Sequence, residues 1–422
     1  MATKYWTGDT VAVAQIATGS IDSVDGTPAN NTFTVTIGDI AISAVGDTDV
    51  ATTATNLRAS LNASTHPYFA NITWSGSTGD ITGTSDVAGL PFVAALTETG
   101  AGTGAVTDFS DTTGSTGPQH WDEALNWSDG AIPATSDEII FADSSVSALW
   151  GISTSGLTGT LTVKKSYTGK IGLRRDAFAT SADGATVDTA FAEYRTTYLN
   201  GGFGTVNLGE HFGAGSPSGS GRLKIDNDKA SASTTTVFDT ASAASETGKS
   251  AVQLKFGNAN AVLIVRKALG GVGIAMDAPG ATSTMGSMIC TDTGASTRIH
   301  SGPGVTITTW KQAGGNNTLE AAATVTTVTV DGGDLAIEAP RLVTTLNQSA
   351  GTITANNVPS AGDAYTTINL SGGTLDMTGA GEAQAIATLT ITNSATLKGS
   401  DLVTVGTLAT VDGTITGSVA IS

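Results

Sequence analysis

Five times in the last hundred residues a turn built of glycine or another small residue is followed by a single aliphatic anchor. The phrases are Asp331-Gly-Gly-Asp-Leu335, Ala350-Gly-Thr-Ile353, Gly372-Gly-Thr-Leu375, Ser394-Ala-Thr-Leu397 and Asp412-Gly-Thr-Ile415, with anchors 18, 22, 22 and 18 residues apart. Upstream of each turn lies a second run in which aliphatic residues alternate with threonine: Val325 to Val330, Leu342 to Leu346, Tyr365 to Leu370, Ile386 to Ile391 and Leu408 to Val411. Alternation with period two makes half-buried strands, and glycine supplies the positive-φ corner between them. One such unit cannot bury its apolar face until a neighbour covers it, so the repeat predicts stacked coils, a β-solenoid (β-helix) of either hand.

The chain of 422 residues exceeds what one small domain needs, and its 53 glycines, 13% charged residues and 5% aromatics suit thin strands and tight turns better than a helical enzyme core. Its net charge of −18 disfavours nonspecific nucleic-acid binding, which needs Lys and Arg against phosphate. That charge is uneven: residues 1–163 carry −15, residues 164–311 carry +4 and residues 312–422 carry −7. Lys164, Lys165, Arg174 and Arg175 begin the basic third; the plainer reading is solvated side chains, and the functional alternative is a docking surface for an acidic partner. The amino terminus shows no apolar stretch of signal-peptide length and no segment reaches the length of a membrane span, so neither conventional export nor membrane association is expected.

Ahead of the solenoid, residues 32–97 predict a compact α+β module. Phe33 to Ile37 and Ile40 to Ile42 alternate around Gly38-Asp39 as a hairpin. Val50, Ala54, Leu57 and Leu61 then repeat at helical spacing after Asp47, the expected N-cap, and Ile72 to Trp74, Ile81 to Gly83 and Phe92 to Leu96 supply further strands. Residues 99–118 are Gly/Thr-rich, with the look of a hairpin or linker. Trp121, Asn126, Trp127, Ser128, Gly130 and Pro133 follow, leading into Glu138 to Phe141. Two tryptophans six residues apart, then a Gly/Pro turn and a strand, are suited to cap the open end of a solenoid, with Trp121, Trp127 and Pro133 as the cap residues. The division expected is therefore 1–115 for the module and linker, 116–150 for the cap and 151–422 for the solenoid with inserted loops.

The phrase from Trp121 to Phe141 is similar to one that opens β-helical passengers of some autotransporter-like proteins, and it resembles that of β-helical tailed-phage virion proteins. The module at 32–97 likewise resembles small domains that recur in phage structural proteins. The phage resemblance implies a structural virion protein on the capsid surface, a decoration (cement) protein with the major capsid protein as partner. It also suggests a homotrimer, from the local three-fold positions that capsids offer. A tail spike or fibre, or a surface adhesin that binds glycans, is the alternative.

Few residues point to catalysis. Gly213 to Gly219 lacks the Lys-Ser/Thr of a phosphate loop, and Gly270 to Asp277 has its Asp at the wrong offset for the calcium nonapeptide. His66, His120, His211 and His300 are scattered, with surface or capping roles expected, and Glu210-His211 would point to opposite strand faces. Asp226, Asp228 and Asp239 are the candidate carboxylates for a glycosidase groove, but Trp150 and Trp310 are isolated as sugar platforms. Asp331 and Asp334 are expected to cap a turn, and the lone Cys290 to be a small buried hydrophobe. No enzyme activity, cofactor or metal is expected.

Overall fold

The computed structural model describes residues 1–28, 30–173, 199–210, 223–240, 250–276, 281–294, 297–302, 304–319, 324–337, 342–355, 364–379 and 383–421. The chain is mainly β, a parallel β-solenoid with a small β-rich module at its amino-terminal end.

The five sequence phrases stack in register. Leu335, Ile353, Leu375, Leu397 and Ile415 are successive partners in one parallel sheet, and Val328, Leu346, Ile368, Leu389 and Leu408 are successive partners in the other. The strand Thr324–Val330 buries Val325, Val328 and Val330, whereas Thr326 between them is exposed and bears no register partner. Thr308, Thr344 and Thr366 occupy the same skipped position in neighbouring coils, so the first sheet bends there and each coil gains a corner. The second corner is the glycine turn. Gly333, Gly351 and Gly373 have φ of 73°, 78° and 78°, and a Cβ on any of them would lie 2.2–2.5 Å from the carbonyl oxygen of the glycine one coil earlier. Positive φ and close stacking both demand glycine here. Each carbonyl so approached also accepts the next coil's amide, as when Thr352 N donates to Gly333 O at 2.9 Å.

Coil length is not constant. Leu208, Val237, Val265, Cys290, Gln312 and Val330 form one inward column although their separations fall from 29 through 28, 25 and 22 to 18 residues. The stacked positions are held although the number of residues between them varies. Cys290 is buried in this column, where burial pushes its thiol up to about 11.

The division at residue 115 needs one correction. Thr3–Tyr5, placed by sequence with the module, is the outermost strand of the solenoid, parallel to Glu138–Phe141, which in turn pairs with Thr160–Lys164. The module is therefore inserted into the first coil. The chain leaves the column after Trp6 and returns beside its own point of departure, where Val13 N donates to Thr116 O at 2.9 Å.

Within the module, one sheet has the order Ile72–Ser75, Asp80–Ser85, Ile16–Ser23, Ala105–Thr113, and the other Ile40–Val45, Asn31–Ile37, Ala94–Gly100. The expected hairpin forms around Gly38 (φ 63°). The helix spans Val50–Asn62 and buries Ala54, Leu57 and Leu61 against Phe33, Trp74 and Leu96. Its N-cap is Asp49 rather than Asp47: Asp49 Oδ1 accepts from Thr52 N at 2.8 Å, while Asp47 Oδ1 accepts from Thr48 N, one residue too early to serve the first turn. The Gly/Thr-rich stretch after residue 99 contains a full strand, Ala105–Thr113, paired with Ile16–Ser23, a strand with no counterpart in the sequence reading.

Candidate functional site

Three places on the molecule bring together the residues singled out by sequence. The first is the cap. Trp121 and Trp127 are buried, with rings 4.7 Å apart at 76°, and Trp6 meets Trp127 at 5.1 Å and 74°. Phe141 completes the group, edge-on to Trp127 and tilted against Trp6 and Trp121, and edge-to-face pairs are among those that aromatic quadrupoles favour. Trp127 Nε1 donates to Trp121 O at 2.9 Å, and Trp6 Nε1 donates to Val146 O at 2.8 Å. Beside them Asn126, fully buried, donates through Nδ2 to the carbonyls of Gly117 and His120 and accepts from Thr10 N, all within 2.8 Å. Pro133 is buried at the turn that leads into Glu138–Phe141. Sequence reasoning missed Trp6, whose contact partners lie more than a hundred residues away.

The histidines divide differently from expectation. His66 caps the short helix Pro67–Ala70, its Nδ1 accepting from Tyr68 N at 3.3 Å. His120, expected at the surface or in a capping role, is buried where the module meets the cap, with Nε2 3.1 Å from Gly89 O. His211 lies outside the described residues, and His300 is half-buried on the solenoid wall.

The second place is the basic third. Lys165 Nζ lies 2.8 Å from Asp239 Oδ2, with both side chains mostly buried, so a docking role for Lys165 would require breaking that pair. Lys164, adjacent on the chain, is half-buried and engaged. Arg174 and Arg175 lie outside the described residues. Lys255 Nζ stands 3.6 Å from Asp226 Oδ2, its register partner one coil away. Asp226 and Asp239 are thus each matched to a different lysine, while Asp228 is exposed past the end of its strand. Trp310 is buried inside the solenoid with Nε1 donating to Gln312 Oε1, so it offers no sugar platform. Among the described residues no group of three or more His, Cys, Asp or Glu could hold a metal ion, and no helix is long and apolar enough to cross a membrane.

The third place was not legible in sequence. A mainly apolar cleft of about 590 Å³ opens where the module meets the column, with Tyr68, Phe92 and exposed Val93 on the module side and Trp150 and Leu173 on the solenoid side. Its walls come from five separate stretches of chain. The chain matches no family model, no curated protein and no solved structure.

Proposed function

We propose that this chain is a structural protein of a tailed-phage particle, a capsid decoration (cement) protein that bridges neighbouring coat subunits. The observation that carries the reading is mechanical. The inserted module is tied to the solenoid by both of its connections, by the Asn126 hydrogen bonds and by the His120 contact, so two dissimilar surfaces are presented on one body. A bridging protein needs that arrangement: two contact faces whose separation is fixed, so that the second contact forms at high effective concentration once the first is made. Each bridge stabilises the assembled shell by mass action, because it binds subunits only when they are adjacent. The outer wall of the carboxy-terminal coils suits an inert exterior. Ser287, Thr309, Thr327, Thr345, Thr367, Thr388 and Thr407 form one outward column of hydroxyls through seven coils.

The major capsid protein is the partner in this reading, and the trimer follows from the three-fold positions of a shell. Phage heads assembled with and without the protein test it: heads that carry it should retain DNA to a higher temperature. Equal resistance of the two, together with retention of the protein on host cells, moves it to the spike or adhesin class.

A further inference from the structure

We propose that the solenoid wall around Arg298 is a binding site for an acidic sugar, a polyhydroxylated ring bearing one carboxylate. The site is a notch of about 280 Å³ lined by Ser250, Gly271, Arg298, His300, Asn316 and Thr318, with Ile299 behind them. Its origin is a missing side chain. Val272 pairs with Ile299, so Gly271 stands one position before that pair, next to Arg298 on the following coil. At φ 80° Gly271 offers only backbone, and a Cβ placed there would have the Ser250 hydroxyl at 3.3 Å. Neighbouring strands in a sheet run about 4.8 Å apart. The gap left at Gly271 is therefore walled by Ser250 on one coil, by Arg298 and His300 on the next, and by Asn316 and Thr318 beyond.

The chemistry of the lining selects the ligand. Among the described residues no carboxylate lines the notch. Arg298 is exposed, and among the described residues its guanidinium has neither an ion pair nor a hydrogen bond. A guanidinium presents a fork of donors that matches a carboxylate bidentately. The backbone of the notch is already satisfied, with Val272 N donating to Arg298 O at 2.9 Å and Asn316 N to Thr297 O at 2.8 Å, so recognition falls to side chains. Two hydroxyls and one amide, each able to donate and accept, suit ring hydroxyls rather than a bare anion. The volume is near the lower limit for small-molecule sites, about 300 Å³, which is room for one sugar ring and not for a nucleotide. Among the described residues no Phe, Tyr or Trp lines it, so charge and hydrogen bonds carry the recognition. The inference is independent of the capsid reading.

Calorimetric titration of the full chain with D-glucuronate, D-glucose and inorganic phosphate tests it. Glucuronate should bind once per chain, more tightly than either of the others, and weaken as salt is raised. Arg298→Gln and the near-isosteric Asn316→Asp should each lower that affinity at least about tenfold, whereas Lys398→Gln, on a distant coil, should leave it unchanged. No binding of glucuronate, or undiminished binding to Arg298→Gln with its thermal unfolding unaltered, overturns the site. Phosphate binding as tightly as glucuronate overturns the saccharide assignment.

Discussion

Replacing Trp127 with alanine tests how the column is closed. The side chain is buried, stands edge-on to Trp121, Trp6 and Phe141, and donates Nε1–H to the Trp121 carbonyl. Truncating a buried tryptophan costs about 3–5 kcal/mol, a range that already includes lost aromatic pairs and the cavity left behind. In a solenoid each coil contacts only its neighbours, so the loss should stay at the end where it occurs. Amide hydrogen exchange read strand by strand is the assay. Thr3–Tyr5, Glu138–Phe141 and Thr160–Lys164 should exchange faster, by roughly a hundredfold to a few thousandfold at one decade per 1.4 kcal/mol. Thr324–Val330 and Gln384–Ile391 should not change. Acceleration spread evenly over all these strands would refute the nearest-neighbour reasoning, and no acceleration at Thr3–Tyr5 would refute the cap. Trp127→Phe, which keeps a ring but loses the donor, should fall between wild type and alanine.

Other expectations follow from single observations. The Tyr365 hydroxyl is fully buried with no hydrogen-bond partner among the described residues, and burial pushes its ionisation upward, so Tyr365→Phe should leave stability unchanged or raise it by about 1 kcal/mol in chemical denaturation; a loss above that contradicts the assignment. With its thiol held at about 11, Cys290 should react with a disulfide reagent at pH 8 only in denaturant, and rapid labelling of the native chain would show the column to be open. Gly351→Ala meets both a φ of 78° and a backbone oxygen 2.2 Å from the new Cβ, and should destabilise by at least about 2 kcal/mol by the same denaturation assay. Asp137 is held below the ordinary carboxylate range, first by the Ala2 amide and then by that of Ala134. A depressed folded-state value means stability that is present above the unfolded pKa and lost as pH falls through the folded one. Protection of Thr3–Tyr5 should therefore decline below about pH 4, and Asp137→Asn should reduce that pH dependence, leaving the part set by Asp129, which Lys4 of the same strand also holds low.

How much of this was legible in the sequence depended on where each signal lies. In the carboxy-terminal coils the strand pattern and the glycine turn sit within about 20 residues of each other, and local alternation fixes which side chains point inward, so the anchors found by spacing are the anchors that stack. Between Leu199 and Ser301 the same column persists, but coil lengths of 25–29 residues break the period, and strands as short as Val272–Ile274 carry no alternation to read. The amino-terminal strand was opaque for a different reason: three residues acquire meaning only from Glu138–Phe141, their partner across the inserted module. The cap residues Trp121 and Trp127 stood out because tryptophan is scarce here, whereas Trp6 needed the fold to join them. Charge pattern alone did not show which bases are engaged: Lys165, a possible docking residue in the basic third, is matched to Asp239, while Arg298, unremarkable among fifteen bases of the middle third, stands in the notch.

The bridging account is tested most directly by adding the purified protein to phage heads stripped of it and measuring occupancy against concentration. The account predicts saturable binding at a fixed number of copies per coat subunit, with heat resistance of the head rising in step. Absence of head binding by folded protein would contradict it.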